Sequence, residues 1–131
     1  MNTDQLTIEE LIEKYQFFYA KKNDDGYIIQ IKKIRYVKFI EILKELGFRR
    51  LDIEDRYYLV RIQQNVVEEV KAKYICDVFV SWIYNLPERF LEELGIDAEL
   101  LVEKIYQSIN TYFNKALMER LIKKDEEIIF N

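Results

Sequence analysis

The chain has 131 residues, a formal net charge of −4 and no histidine. Without an imidazole there is no Ser-His or Cys-His nucleophile pair, no His-ligated zinc or iron, and no imidazole acid or base near pH 7. The single Cys76 has no partner for an intramolecular disulfide, which suits a reducing compartment.

Half of the residues are apolar and 34% are charged, a balance that folds, and only three Gly and one Pro interrupt it. Long elements with short connections are therefore expected in one compact domain spanning residues 1–131. No apolar run approaches membrane-spanning length and no basic start precedes an apolar stretch, so the expectation is a soluble, cytoplasmic protein with no membrane contact. Ten Tyr and eight Phe are many for this length. They suit either a surface that stacks nucleobases or a core rich in rings with hydroxyls reaching water, and the second is the default.

TIEE opens the first helix: Thr7 caps it and Glu10 reaches back as a capping box, with Ile8, Leu11, Ile12 and Tyr15 on one stripe. Phe17 to Lys21 and Tyr27 to Lys33 flank NDDG and read as a first hairpin. Strict alternation puts Tyr27, Ile29 and Ile31 on one side of its second strand, and Ile28 and Gln30 on the other. Ile34 to Leu46 reads as a helix whose broad apolar face includes Val37, Ile40, Leu43 and Leu46, stopped by Gly47.

Phe48 to Ile53 is a strand with Phe48, Arg50 and Asp52 on one side, and the acidic turn IEDR follows. YYLVRIQQNVVEEV, Tyr57 to Val70, is the clearest hairpin in the chain, because two β-rich runs flank Gln63, Gln64 and Asn65 and Asn tolerates positive φ. Helices then take over: Tyr74 to Tyr84, ERFLEEL between Pro87 and Gly95, and a long helix from about Ala98 to Leu121 capped by Asp97. The fold class expected is α+β. Two hairpins in a small antiparallel sheet pack on helices in a winged-helix-like front part (1–70), followed by a helical part (71–131).

Charge is uneven along the chain. Residues 1–20 carry −3, residues 21–61 carry +4 and residues 62–131 carry −5, which together give −4. The middle segment sets Lys32, Lys33, Arg35, Lys38, Arg49, Arg50 and Arg61 among Tyr27, Tyr36, Phe48, Tyr57 and Tyr58. Cations interleaved with rings are what phosphate neutralisation and base stacking require of a nucleic-acid surface. A net of +4 is also what a solvated face of mixed charge carries, and the chain as a whole is acidic.

Carboxylate pairs such as Asp24-Asp25, Glu68-Glu69 and Glu92-Glu93 are adjacent in sequence, so on a strand or helix they diverge and do not converge on a metal. No G-x-x-x-x-G-K loop is present. No catalytic residue, metal ligand or cofactor is assigned.

The order FFYAKKNDDGYIIQIKKIRYVKFIEILKELGFRRL, then YYLVRIQQNVVEEV, then YICDVFVSWI resembles the N-terminal region of primase-helicase proteins of phages and mobile elements from Bacteroidetes-type bacteria. The residues that carry the likeness are Lys38 to Leu43, Gly47-Phe48, Val60 to Val70, and Ile75 to Ile83 with Asp77. Gln64 and Cys76 depart from the family pattern, where Asn and Lys are usual. The resemblance implies a non-enzymatic accessory or N-terminal domain of a DNA replication protein, with the helicase motor lying outside this segment. Single-stranded or forked DNA and replication proteins are the implied partners. A protein-interaction or self-association module using the acidic helical half is the alternative. A magnesium enzyme with carboxylates gathered from separate elements is a third reading.

Overall fold

A computed structural model describes residues 5–107 together with Phe113, Asn114 and Met118. The elements run α1 (Ile8–Tyr15), β1 (Phe18–Lys22), β2 (Ile28–Ile34), α2 (Tyr36–Glu45), β3 (Phe48–Ile53), β4 (Arg56–Gln63), β5 (Val66–Glu69), α3 (Ala72–Tyr84), α4 (Glu88–Leu94) and α5 (Ala98–Gln107). The fold is α+β, with antiparallel sheets β1-β2 and β3-β4-β5 and a helical part after them. The expected single helix from Ala98 to Leu121 is corrected: α5 is described to Gln107, and Phe113 and Asn114, within the expected range, are not helical. Apart from Met118, the other residues of that range beyond Gln107 and the IIF tail lie outside the described residues.

The described residues divide into two compact units. One draws on the described residues up to Phe39 and on Val80–Gln107, the other on Ile40–Phe79 with Phe113, Asn114 and Met118. The division falls inside α2 and α3, and each unit takes residues from both the strand-rich and the helical half of the sequence.

In the first unit the capping box is complete: the Glu10 N–H donates to Thr7 Oγ1 at 3.1 Å, and the Thr7 N–H donates to Glu10 Oε1 at 3.2 Å. Tyr15 of α1 meets Trp82 and Phe90 with ring centres 5.9 and 5.7 Å apart, and Phe17 meets Trp82 at 5.8 Å. Leu11, Phe17, Phe18, Ile83 and Phe90 are wholly buried in this core. Gly95 ends α4 in the left-handed conformation, its N–H donating to the Leu91 and Glu92 carbonyls, and Asp97 caps α5 through a 2.7 Å bond from the Leu100 N–H.

The first hairpin departs from simple alternation. Phe18, Tyr19, Ala20, Lys21 and Lys22 stand opposite Ile34, Lys33, Ile31, Gln30 and Ile28, so the register skips Lys32 and Ile29. These are the extra residues of two β-bulges. Ile28, Ile31 and Ile34, spaced by three, thereby share the side of Phe18 and Ala20, and Ile28 and Ile34 are buried. The expected grouping of Ile29 with Ile31 is corrected: Ile29 is exposed, because each bulge shifts the parity of the strand by one.

In the second unit β3, β4 and β5 form a meander joined by two tight turns. Glu54 and Asp55 in one, and Gln64 and Asn65 in the other, all have positive φ, the type I′ pattern that matches strand twist. Leu59 and Val60 point to opposite faces of β4, and both are buried. Gly47 has φ +96°, and a Cβ there would stand 2.5 Å from the Ile62 carbonyl oxygen, so only glycine fits. Helix α2 starts at Tyr36 rather than Ile34, since Ile34 completes β2 opposite Phe18. Its buried stripe is Phe39, Ile42 and Leu43, whereas Val37, expected inside, faces solvent. A surface helix buries a stripe near 100° wide, and the apolar residues of α2 span more than that.

Candidate nucleic-acid interface

The described rings separate by type. All seven described phenylalanines are buried, while Tyr19, Tyr27, Tyr36, Tyr57, Tyr74, Tyr84 and Tyr106 are each at least 40% exposed. Hydroxyls reaching water account for part of this, but exposure of that size leaves much of each ring available for contact.

Four of the seven expected contact residues, Lys32, Lys33, Arg35 and Lys38, belong to the first unit. Arg49, Arg50 and Arg61 belong to the second.

The second set is engaged within its own unit. Arg49 Nη1 donates to the carbonyls of Lys44 and Phe48, both at 2.8 Å. Arg50 is paired with Asp52, Nε to Oδ1 at 3.1 Å, and its guanidinium lies 4.7 Å from the centre of the Tyr57 ring. Arg61 donates from Nε to the Leu46 carbonyl at 3.0 Å and from Nη1 to the Tyr74 hydroxyl at 2.9 Å, and it lies over the Phe48 ring at 5.2 Å. These guanidinium groups hold the meander to its neighbouring loop and helix, a role that sequence spacing does not distinguish from ligand contact.

The first set divides again. Lys38 is half-buried and lines a depression with Glu9, Glu10 and Glu13 of α1, so its charge sits among carboxylates. Lys32 and Lys33 are exposed on β2. Lys33 stands opposite Tyr19 with Nζ 5.1 Å from the ring centre. Arg35 brings Cζ to 5.7 Å from the same ring, and its Nη1 donates to the Gln16 carbonyl at 3.0 Å.

The outward side of the β1-β2 hairpin therefore presents Tyr19 and Lys21 from β1, with Ile29, Gln30, Lys32 and Lys33 from β2. Neither strand contains a carboxylate, and together they carry four lysines. Asp24 and Asp25 stand apart in the turn, where the Asn23 side-chain oxygen accepts from the backbone N–H groups of Asp25 and Tyr27. Sequence reasoning had not singled out Tyr19 or Lys21. Alternation along FYAKK, with Phe18 and Ala20 inward, is the signal that finds them.

Among the described residues no group of three or more Cys, Asp or Glu side chains is arranged to hold a metal ion. No helix among them is long and apolar enough to cross a membrane. No protein-family model, curated protein or solved structure matches the chain.

Proposed function

We propose that this chain is a non-enzymatic accessory or N-terminal domain of a phage or mobile-element DNA replication protein, of the primase-helicase kind, and that it binds nucleic acid through the outward side of β1-β2. The supporting observation is a hairpin face that Lys21, Lys32 and Lys33 share with a half-exposed Tyr19, Lys33 lying over its ring, with no carboxylate in either strand. Phosphates neutralised by three or four such cations release counterions, so affinity falls with salt, with a log-log slope of about −2 to −3 for a single strand.

Fluorescence anisotropy with a labelled oligonucleotide and a labelled fork, at low and moderate salt, tests this reading. Binding that weakens with salt and is lost in Lys32→Glu/Lys33→Glu is the expected result. Absence of binding by the unaltered protein at low salt overturns it.

A second reading, a protein-interaction or self-association module, is favoured by one observation. An open groove of about 630 Å³ in the first unit is lined by Tyr27, Leu91 and Ile96 with Glu88, Glu92 and Asp97. A mass that rises with concentration in light scattering, together with loss of that rise in Leu91→Arg, would favour this reading over the first.

A further inference from the structure

We infer that the β1-β2 face selects single strands over duplexes by seating one unpaired base on the Tyr19 ring, with the Lys33 ammonium moving from the ring to a neighbouring phosphate. This rests on the nucleic-acid reading above and specifies its ligand.

The two cations at Tyr19 are held differently. Arg35 is fixed, because its side chain donates to the Gln16 carbonyl at 3.0 Å and its backbone N–H donates to the Phe17 carbonyl at 2.8 Å. The Lys33 ammonium has only the ring: among the described residues its side chain makes no hydrogen bond or ion pair, and its Nζ rests 5.1 Å from the Tyr19 centre. An ammonium on a four-carbon stem leaves such a position at small cost and follows a phosphate readily. Tyr19 is 49% exposed, and its strand pairs with β2 on either side of it, Phe18 opposite Ile34 and, past the Lys32 bulge, Ala20 opposite Ile31. Tyr19 thus offers a half-exposed ring on a paired strand, under a displaceable cation and beside one held by hydrogen bonds.

A two-stranded ribbon also fits the major groove of a duplex, so that alternative has to be weighed. Entering tip-first carries the turn foremost, and the turn bears the exposed Asp24 and Asp25, which the phosphates repel. Of the outward side chains Tyr19, Lys21, Ile29, Gln30, Lys32 and Lys33, only Gln30 has a planar two-point group for base edges, the lysines reaching guanine O6 and N7 as flexible point donors, and neither kind uses the ring of Tyr19. In a duplex the base faces are already stacked on one another, and the Tyr19 ring has nothing to receive. A single strand laid across the face offers its phosphates to the lysines and a free base face to the ring.

The probe is an oligothymidylate of about twelve nucleotides, compared with an abasic strand of equal charge and with a duplex of equal length. The unaltered protein is expected to bind the oligothymidylate about tenfold more tightly than either comparison probe. Tyr19→Leu should bring it to the abasic level with the salt slope unchanged, and Tyr19→Phe should keep the preference. Lys33→Gln should weaken all three probes and reduce the slope by about 0.7, one phosphate contact. Equal affinity for the thymidylate and abasic strands, or a preference that survives Tyr19→Leu, overturns the inference and leaves the broader reading standing. No binding to any probe overturns both.

Discussion

Arg61 and Tyr74 join the middle strand of the meander to the first turn of α3: Nη1 of the arginine donates to the tyrosine hydroxyl at 2.9 Å while its guanidinium lies 5.9 Å from the same ring. Phe48, opposite Arg61 in the ladder, lies edge-on to Tyr74 with ring centres 6.2 Å apart, so one arginine is enclosed by two rings and the Leu46 carbonyl. Removing it deletes two hydrogen bonds from a charged donor and two ring contacts. Arg61→Met should cost about 2 kcal/mol in urea unfolding followed by circular dichroism. The same variant should lower oligonucleotide affinity less than Lys33→Gln does, because its charge faces the protein's own backbone.

The two glycines beside strands separate conformational cost from steric cost. Gly26 has φ +87° with nothing within 4 Å of an added Cβ, whereas Gly47 has φ +96° and the Ile62 oxygen in the way. Gly26→Ala should cost about 1 kcal/mol, the left-handed penalty alone. Gly47→Ala should cost about 3 kcal/mol, since the Ile62 N–H also donates to the Gly47 carbonyl at 2.8 Å and the strand cannot retreat without losing that bond. Thermal or urea unfolding of the two variants side by side gives the comparison.

Local chemistry made much of this fold readable from sequence. The Thr7 and Glu10 box, the Pro87 start and Gly95 stop of α4, and the Asp97 cap are short-range arrangements, and each occurs where the residues require it. The inward side of β2 was not readable, because the bulges at Ile29 and Lys32 depend on register with β1 and leave the residue pattern IIQIKKI looking like an ordinary strand. The candidate site was legible as a composition and not as a place. Lys32, Lys33 and Arg35 belong to the hairpin face and its edge. Arg49, Arg50 and Arg61 are equally basic and equally close to rings in sequence, yet their donors go to carbonyls, to Asp52 and to Tyr74.

Gln64 and Asn65 both adopt positive φ, at 48° and 67°, between Gln63 and Val66. Asn is at ease there and Gln is not, since a long side chain gains no local hydrogen bond that offsets the left-handed backbone. Gln64→Asn with Asn65→Gly supplies the favoured type I′ pair and should raise stability by about 1 kcal/mol, seen as a higher urea midpoint with unchanged slope. A lower midpoint would mean that the Gln64 side chain supports the turn in a way its backbone angles do not suggest.

Cys76 lies fully buried in α3, and burial, with a smaller contribution from the Asp77 charge, pushes its thiol from an ordinary 9.0 up to about 11. The unfolded chain loses this proton first. Its contribution to stability is therefore complete below pH 9 and lost as pH rises to about 11. The urea midpoint of the unaltered protein should fall more steeply over that interval than the midpoint of Cys76→Ala, which lacks the group, with all other titrations common to both. In the native protein the neutral, enclosed thiol should resist a disulfide reagent at neutral pH and react at the full rate only in denaturant. Parallel pH dependence of the two proteins, or rapid labelling of the folded chain, would show that the thiolate forms without unfolding.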